Sequence, residues 1–180
     1  MYTVGVLGTG PALSRPGLLA EPVAKALAAL GAAADAVAVA EIDPTLADTA
    51  AFCERYQVSL EESANCVVIS GRREGEVRYA ACVVLATTRA DVNGVARRAL
   101  DVRKASFAPA ETAVSETGME YGGITPVGLP PGWPVLVDTR AAAQPQVVIG
   151  SGVRRSKLVL PGAMLAALPG VTVVEGLGLG

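Results

Sequence analysis

KASFAPAETAVSETGMEYGGITPVGLPPGWPVLVD, residues 104–138, is the segment from which the organisation of the chain can be worked out. Its centre, residues 118–128, contains four glycines and one proline in eleven positions. Glycine accepts positive φ values and lets a ligand approach the backbone without meeting a Cβ, and proline restricts the turn. Such a loop can aim several backbone N–H groups at one anionic or carbonyl oxygen. The same composition also fits a tight connector between a helix and a strand.

Helices and strands can be assigned outward from this loop. Residues 110–117 have a helical pattern that Gly118 ends, and residues 134–138 form a strand pattern. Upstream, a charged turn joins two strand patterns, and the second of them, residues 77–86, is apolar on both faces, which predicts a central position in a sheet. The other predicted elements are helices over 18–30, 45–56, 91–100 and 161–168, and strands over 36–42, 65–71, 147–149, 157–160 and 171–174.

These elements mix helices and strands without strict βαβ alternation, which predicts an α+β fold with a mixed, strongly curved β-sheet flanked by helices. A length of 180 residues fits one domain with its own hydrophobic core. We expect residues 1–180 to form that single domain, with an N-terminal leader over 1–16, a core over 17–175 and a loose glycine-rich tail over 176–180.

The composition excludes several classes of site. The chain contains no histidine, which removes Ser-His-Asp and Cys-His catalysis and every His-based metal site. Cys53, Cys66 and Cys82 are an odd number at wide spacing, which indicates a reducing compartment, and the last two lie in apolar strands as inert thiols. The sequence has neither a membrane-spanning apolar run nor a signal-type N-terminus. We therefore expect a cytoplasmic protein that uses no metal, no cofactor and no membrane.

The net charge of −2 does not indicate nucleic-acid binding, but the charge is distributed unevenly. Residues 1–62 carry −5 and residues 63–180 carry +3. Such a distribution fits either an ordinary solvated surface or a groove for a few phosphates. The basic residues of the second part gather at Arg72, Arg73, Arg97, Arg98, Arg103, Lys104, Arg154, Arg155 and Lys157.

The N-terminal sequence MYTVGVLGTG superficially resembles a dinucleotide-binding fingerprint. However, Leu13 stands where the third glycine belongs, and Pro11 and Pro16 interrupt the helix that should follow. We expect a leader that packs on the edge of the domain, and a nucleotide site over Gly5–Gly10 is the weaker alternative.

The segment SFAPAETAVSETGMEYGGITPVGLP followed by WPVLVD resembles the YbaK/EbsC-type aminoacyl-tRNA deacylases, a family that includes the editing domain of bacterial prolyl-tRNA synthetases. The shared pattern is a Gly-x-x-x-Pro loop, matched by Gly122–Pro126, between a Lys-Ala-x-Phe-Ala turn upstream and Val-Asp and Gly-Ser-Gly segments downstream. The resemblance runs from about Gly17 to the C-terminus. It implies the fold of that prolyl-tRNA synthetase-associated domain, whose curved sheet is partly barrel-like.

The resemblance also implies roles for the residues of the loop. Backbone amides of Gly122 and Gly123 would hold the carbonyl oxygen of an aminoacyl ester, assisted by the terminal ribose hydroxyl of the tRNA itself. Ile124 would border the amino-acid pocket and Pro126 would fix the shape of the loop. Thr125 would either donate a hydrogen bond or cap a turn.

Residues 150–152 are similar to a second small-residue turn of the family, in which Ser151 and Gly152 would line the cleft. Ser151 as a plain turn residue is the simpler alternative. Asp138 follows a buried strand and is expected to orient a backbone turn or a cationic partner. Tyr121 and Trp133 are expected to pack against the loop, with base stacking as the alternative.

One departure from the family pattern concerns a lysine. The family has this lysine at the start of the strand matched by Asn65, where it holds a phosphate or ribose near the scissile bond. Asn65 can donate a hydrogen bond but carries no charge. Lys104 or Lys157 could supply the missing charge if the fold brings either side chain to the cleft.

The function implied by the resemblance is trans-editing, in which the ester of a mischarged tRNA is hydrolysed by backbone oxyanion stabilisation and substrate assistance. The partners would be the acceptor end of an aminoacyl-tRNA and, as a further option, an aminoacyl-tRNA synthetase. The alternative is a catalytically silent module that binds aminoacyl-tRNA or a nucleotide-like ligand, and the replaced lysine favours it. The sequence does not identify the amino acid, the tRNA or the oligomeric state.

Overall fold

The computed structural model describes residues 2–180. Its α-helices are α1 Glu21–Ala29, α2 Thr49–Tyr56, α3 Arg97–Leu100, α4 Ala110–Thr117, α5 Thr139–Ala142 and α6 Gly162–Ala167. Its strands are β1 Thr9–Pro11, β2 Ala38–Glu41, β3 Ala64–Arg73, β4 Glu76–Leu85, β5 Arg89–Ala90, β6 Ala105–Phe107, β7 Val135–Asp138, β8 Val147–Gly150, β9 Ser156–Leu160, β10 Val171–Val174 and β11 Gly178–Leu179. Within this range no helix combines the length and the apolar character that crossing a bilayer requires.

The longer strands form two sheets. One has the order β1-β2-β9-β8 with antiparallel pairs throughout, and the other has the order β10-β7-β4-β3-β6, in which β7 pairs in parallel with both β10 and β4. The mixed α+β prediction and the central position of β4 are confirmed. Over residues 2–180 neither sheet closes on itself, so the partly barrel-like form is not confirmed.

The two sheets meet at a bridge between Ser63 and Val148, beyond which the described strands β3 and β8 are not paired. The glycine-rich loop occupies the gap that follows. A Cβ on Gly150 would lie 2.5 Å from the carbonyl oxygen of Gly123 and 2.6 Å from that of Ile124. Only glycine therefore allows the loop to lie directly against β8.

Three apolar clusters hold the layers together and bury one face of α1, α2, α3, α5 and α6. The largest lies between the two sheets and α1, where Val23 and Leu27 are fully buried. The second covers the opposite face of the five-stranded sheet, beneath residues 92–102. The third lies between the four-stranded sheet and α2 and is centred on Phe52. Apolar packing thus fixes α1 against both sheets and α2 against the four-stranded sheet.

Both ends of the described chain are part of the fold. β1 pairs with β2 at the edge of its sheet, which agrees with a leader packed on the domain edge. The prediction of a loose tail over 176–180 is wrong, because β11 pairs with β5 and Leu177 is fully buried in the second cluster. The anchor is remote in sequence, since the N–H of Gly178 donates to Asp138 Oδ2 at 2.7 Å.

Candidate active site

A cleft of about 410 Å³ opens where the two sheets separate. The N-terminus of α2 forms one wall, β3 and the end of β6 form the second, and the glycine-rich loop with β8 and β9 forms the third. The lining residues are Ala47, Asp48, Thr49, Ala64, Asn65, Cys66, Val67, Val68, Phe107, Ala108, Ala113, Tyr121, Gly122, Ile124, Gly150 and Lys157.

The glycine-rich loop is fixed to the turn after β8 by backbone hydrogen bonds. The N–H of Gly152 donates to the carbonyl of Gly123 at 2.7 Å, and the N–H of Glu120 donates to the carbonyl of Gly152 at 2.8 Å. Gly122 has φ +89°, and a Cβ there would meet the guanidinium of Arg154. The loop is therefore a preorganised backbone surface that requires glycine at this position.

The unpaired backbone donors of the glycine-rich loop differ from those expected. Gly123 is buried and its N–H already donates to the carbonyl of Glu120 at 2.9 Å, which contradicts its expected role as a free donor. Gly122 and Ile124 both line the cleft, and their N–H groups have no hydrogen-bond acceptor among the described residues. Of the three consecutive residues 122–124, Gly122 and Ile124 are therefore the ones that keep a free donor.

Lys157 enters the cleft from β9, where it lies opposite Gly150. Its side chain is largely buried, with 8% of the residue exposed, and Nζ donates to the carbonyl of Ala47 at 3.1 Å and lies 5.1 Å from the centre of the Phe52 ring. Burial lowers the pKa of Lys157, and Arg154 lowers it further. The structure thus brings one lysine to the cleft, from a different strand than the family pattern uses.

Asn65 lies on β3 in the same cleft as Lys157 and Gly122. Its Oδ1 accepts a hydrogen bond of 2.6 Å from the hydroxyl of Thr49. The amide nitrogen remains available as a donor, because no acceptor contacts it within residues 2–180. Asn65, Gly122, Ile124 and Lys157 are the predicted residues that the fold brings together.

Ser151 and Gly152 do not line the cleft. Ser151 is fully buried, and its hydroxyl lies within hydrogen-bond distance of the carbonyls of Val153 and Ser156 and of the Ser156 hydroxyl. Gly152 has φ +88° and supports the loop through its backbone. The structure favours the simpler alternative, in which this turn shapes the site from behind.

Three further candidates also lie outside the cleft. The hydroxyl of Thr125 is buried without a hydrogen-bond partner, and Pro126 lines a second cavity of about 510 Å³ together with Trp133. Lys104 is exposed and precedes Ala105, which pairs with Gly71 rather than with the part of β3 that lines the cleft. Lys104 therefore does not supply the missing charge.

The aromatic residues divide between packing and exposure. Trp133 stacks on Tyr79 with ring centroids 5.1 Å apart, as packing predicts. Tyr121 is 62% exposed at the cleft, so the expectation that it packs against the loop is wrong. Phe107, which sequence reasoning missed as a site residue, is 61% exposed at the same cleft. The signal available was an aromatic residue directly before the Ala-Pro turn into α4.

Acidic and hydroxyl groups at the N-terminus of α2 were also missed by sequence reasoning. Asp48 caps α2 by accepting from the N–H of Ala50, and Thr49 holds Asn65. Their position beside Lys157 depends on how α2 packs on the four-stranded sheet, which local sequence does not determine. Among residues 2–180 no group of three or more metal-ligating side chains could hold a metal ion.

The cysteines do not provide a nucleophile for the cleft. Burial raises the pKa of Cys66, which lines the cleft, and the neighbouring Cys82 raises it further. Burial also raises the pKa of Cys82 to about 12. Since the thiolate is the reactive form, both thiols are inert near neutral pH.

The weaker alternative, a nucleotide site over Gly5–Gly10, has no support in the fold. A phosphate site of that kind uses the N-terminus of a following helix. Here the glycines lead into β1 and two short 3₁₀ turns, Ala12–Ser14 and Pro16–Leu18. A Cβ on Gly5 would overlap the backbone of Tyr56, so this glycine serves close packing.

Solved structures of other proteins share this fold. A proposed trans-editing enzyme for prolyl-tRNA synthetase is 24% identical with a TM-score of 0.74, over 89% of this chain and 97% of that chain. The hypothetical protein APE2540 is 23% identical with a TM-score of 0.74, over 88% of this chain and all of that one (100%). At these identities the likeness shows the fold. No curated protein sequence matches.

The family assignment comes from the sequence itself. Residues 43–168 match the model of the aminoacyl-tRNA editing domain, and this range begins before α2 and ends after α6. It therefore includes every wall of the cleft, from Ala47 to Lys157. The chain belongs to the YbaK-type aminoacyl-tRNA editing domain family.

Proposed function

We propose that this protein is an aminoacyl-tRNA deacylase that hydrolyses the ester of a mischarged tRNA. The observation that carries the proposal is the convergence of two free backbone donors, Gly122 and Ile124, with Asn65 and Lys157 in one cleft. Family membership supplies the substrate class. The likeness to a proposed trans-editing enzyme supports the same function.

The chemistry follows from the lability of an aminoacyl ester, for which positioning and oxyanion donors supply much of the acceleration. The N–H groups of Gly122 and Ile124 hold the carbonyl oxygen. Water adds to the carbonyl carbon, the bond to the ribose oxygen breaks, and the proton from water passes to that oxygen. The products are a free amino acid and a tRNA with its terminal hydroxyls restored.

The charged groups of the cleft orient the substrate in this proposal. Lys157 binds the terminal phosphate or ribose. Its ammonium thereby replaces the positive charge that Asn65 lacks. Asp48 places a carboxylate where it can accept the α-ammonium of the aminoacyl group. Asn65 keeps its amide nitrogen as a donor toward the ribose.

A catalytically silent binding module is the second candidate, and one observation favours it. The ammonium of Lys157 already donates to Ala47, and Asn65 is already bonded to Thr49, so both polar groups have internal partners. Such a cleft could bind an aminoacyl end without activating it. A trans-editing enzyme would hydrolyse a mischarged tRNA, whereas a silent module would bind it without hydrolysis.

Turnover of mischarged tRNAs separates the two candidates. A panel that begins with alanyl-, cysteinyl- and seryl-tRNA forms is incubated with the protein, and a non-hydrolysable aminoacyl-adenosine analogue is titrated in parallel by thermal shift. The proposal expects hydrolysis of at least one member of the panel. Stabilisation by the analogue without any hydrolysis would establish the silent module instead.

A further inference from the structure

Two basic segments that are distant in sequence meet at the end of the five-stranded sheet. Residues 72–78 form the β3–β4 hairpin, and residues 97–104 run from α3 to β6. Asp101 joins the two segments, since its carboxylate oxygens lie 2.8 Å from Nη1 of Arg73 and 3.2 Å from Nη1 of Arg78. We call the two segments together the hairpin-end surface.

The hairpin-end surface is strongly basic although the chain is acidic. It holds seven of the fifteen Lys and Arg and three of the seventeen Asp and Glu, so it carries +4 while the remaining residues carry −6. Asp101 is already shared between Arg73 and Arg78. Arg98, Arg103 and Lys104 are exposed and have no ion-pair partner within residues 2–180. These three cations are free to bind an external anion.

β6 connects this surface to the cleft. Ala105 pairs with Gly71 beside the surface, and Phe107 lines the cleft two residues later. Phe107 is three positions after Lys104, which corresponds to about 10 Å along an extended chain. Between the free cations and the cleft therefore stands an exposed aromatic ring, 61% accessible.

We propose that the hairpin-end surface binds the phosphates of the double-stranded acceptor stem, and that Phe107 stacks a base of the single-stranded 3′ end on its way to the cleft. The inference rests on the proposed function for the identity of the RNA. Duplex RNA is recognised mainly through its shape and backbone, which free Arg and Lys side chains contact without reading sequence. Stacking on an exposed aromatic ring is equally independent of sequence.

The test uses a labelled, non-acylated RNA hairpin that has an acceptor-like stem and an unpaired 3′ end, and it measures binding by fluorescence anisotropy against salt. Three phosphate contacts give a slope of log K against log salt of about −2 to −3. Arg103→Glu should weaken binding by about threefold or more at low salt and reduce the slope by about 1. Lys25→Glu is the control for charge reversal away from this surface, because Lys25 is exposed on α1, where it pairs with Glu21.

Two further measurements separate binding of the stem from binding of the single strand and from binding of an acidic protein. Phe107→Ala should weaken the binding of an isolated single strand that has the sequence of the unpaired 3′ end. Arg103→Glu should weaken the binding of the hairpin more than the binding of that single strand. Equal weakening by Lys25→Glu and Arg103→Glu would overturn the assignment of the surface. Tight binding of an acidic peptide that competes with the hairpin would show an acidic protein as the partner and would also overturn it.

Failure of this inference can be distinguished from failure of the proposed function. The binding assay needs no hydrolysis, so it can succeed for a silent module. If the protein is a deacylase, Arg103→Glu should lower its rate on an aminoacyl hairpin and leave its rate on aminoacyl-adenosine unchanged. Loss of both rates would contradict a role in holding the stem.

Discussion

At the scale of the residue, Lys157 is the one lysine among residues 2–180 that lines the cleft. Its ammonium is buried between Phe52 and the carbonyl of Ala47, and burial lowers its pKa. Lys157→Met keeps most of the apolar stem and removes the charge. We expect the deacylation rate to fall by about tenfold or more, because the substrate loses the cleft cation. Lys25→Met is the control, and its rate should match the wild type.

The same substitution has a predicted effect on stability that a lost core residue would not have. Because the folded pKa of Lys157 is lowered, the fold disfavours the charged form, and the unfolded chain holds more protons between the folded pKa and the ordinary value of 10.5. The free energy of unfolding of the wild type should therefore rise relative to Lys157→Met as pH increases through that interval. Urea unfolding of both proteins at a series of pH values measures this change. A difference in the free energy of unfolding that stays constant with pH would argue against a buried charge at Lys157.

Local patterns predicted the identity of several site residues but not the direction of their side chains. Asn65, Gly122, Ile124 and Lys157 were selected from the sequence and meet in the cleft. Ser151 was selected on the same basis and points into the turn. The difference depends on hydrogen bonds to Val153 and Ser156 and on strand register, which a turn sequence does not specify.

At the scale of the element, the chain end shows how a remote contact overrides local composition. Leu177 and two-residue strand β11 were not predictable from a glycine-rich tail, since two residues have no periodicity. The longer strands β3, β4 and β9 were predicted close to their observed bounds, because their apolar runs are long enough to carry a signal.

Asp138 is the residue that attaches β11 to the fold. Burial alone would raise its pKa, but hydrogen bonds from Arg140 and from the N–H of Gly178 hold it below 3.8. We expect Asp138→Asn to reduce the free energy of unfolding by about 1–3 kcal/mol at pH 7. Asp35→Asn, at an exposed position, is the control and should change little.

The pH dependence of this effect has a definite sign. A depressed carboxyl pKa contributes stability above the ordinary value of 3.8, and the contribution disappears as pH falls through the folded pKa. The stability difference between the wild type and Asp138→Asn should therefore be full at pH 7 and shrink below about pH 4. Chemical denaturation across this range tests it, and a difference that grows with acid would refute the assignment.

At the scale of the whole molecule, the site exists because two sheets share the Ser63–Val148 bridge and then separate around the glycine-rich loop. The strand pattern predicted a mixed α+β fold, but it did not predict two sheets or the gap between them. Pairing between β2 and β9 spans more than one hundred residues, and no local pattern encodes it.

We propose that the backbone of the glycine-rich loop stabilises the oxyanion of an aminoacyl ester, and two glycines allow a matched test. Gly122 and Gly132 both have positive φ, +89° and +84°, but a Cβ on Gly122 would meet Arg154 at the cleft whereas a Cβ on Gly132 would meet nothing within 4 Å. The measurement is the single-turnover deacylation rate of a mischarged tRNA with Gly122→Val and with Gly132→Val. We expect a loss of about 10²-fold or more for Gly122→Val and a rate close to wild type for Gly132→Val. Equal rates for the two variants would contradict it.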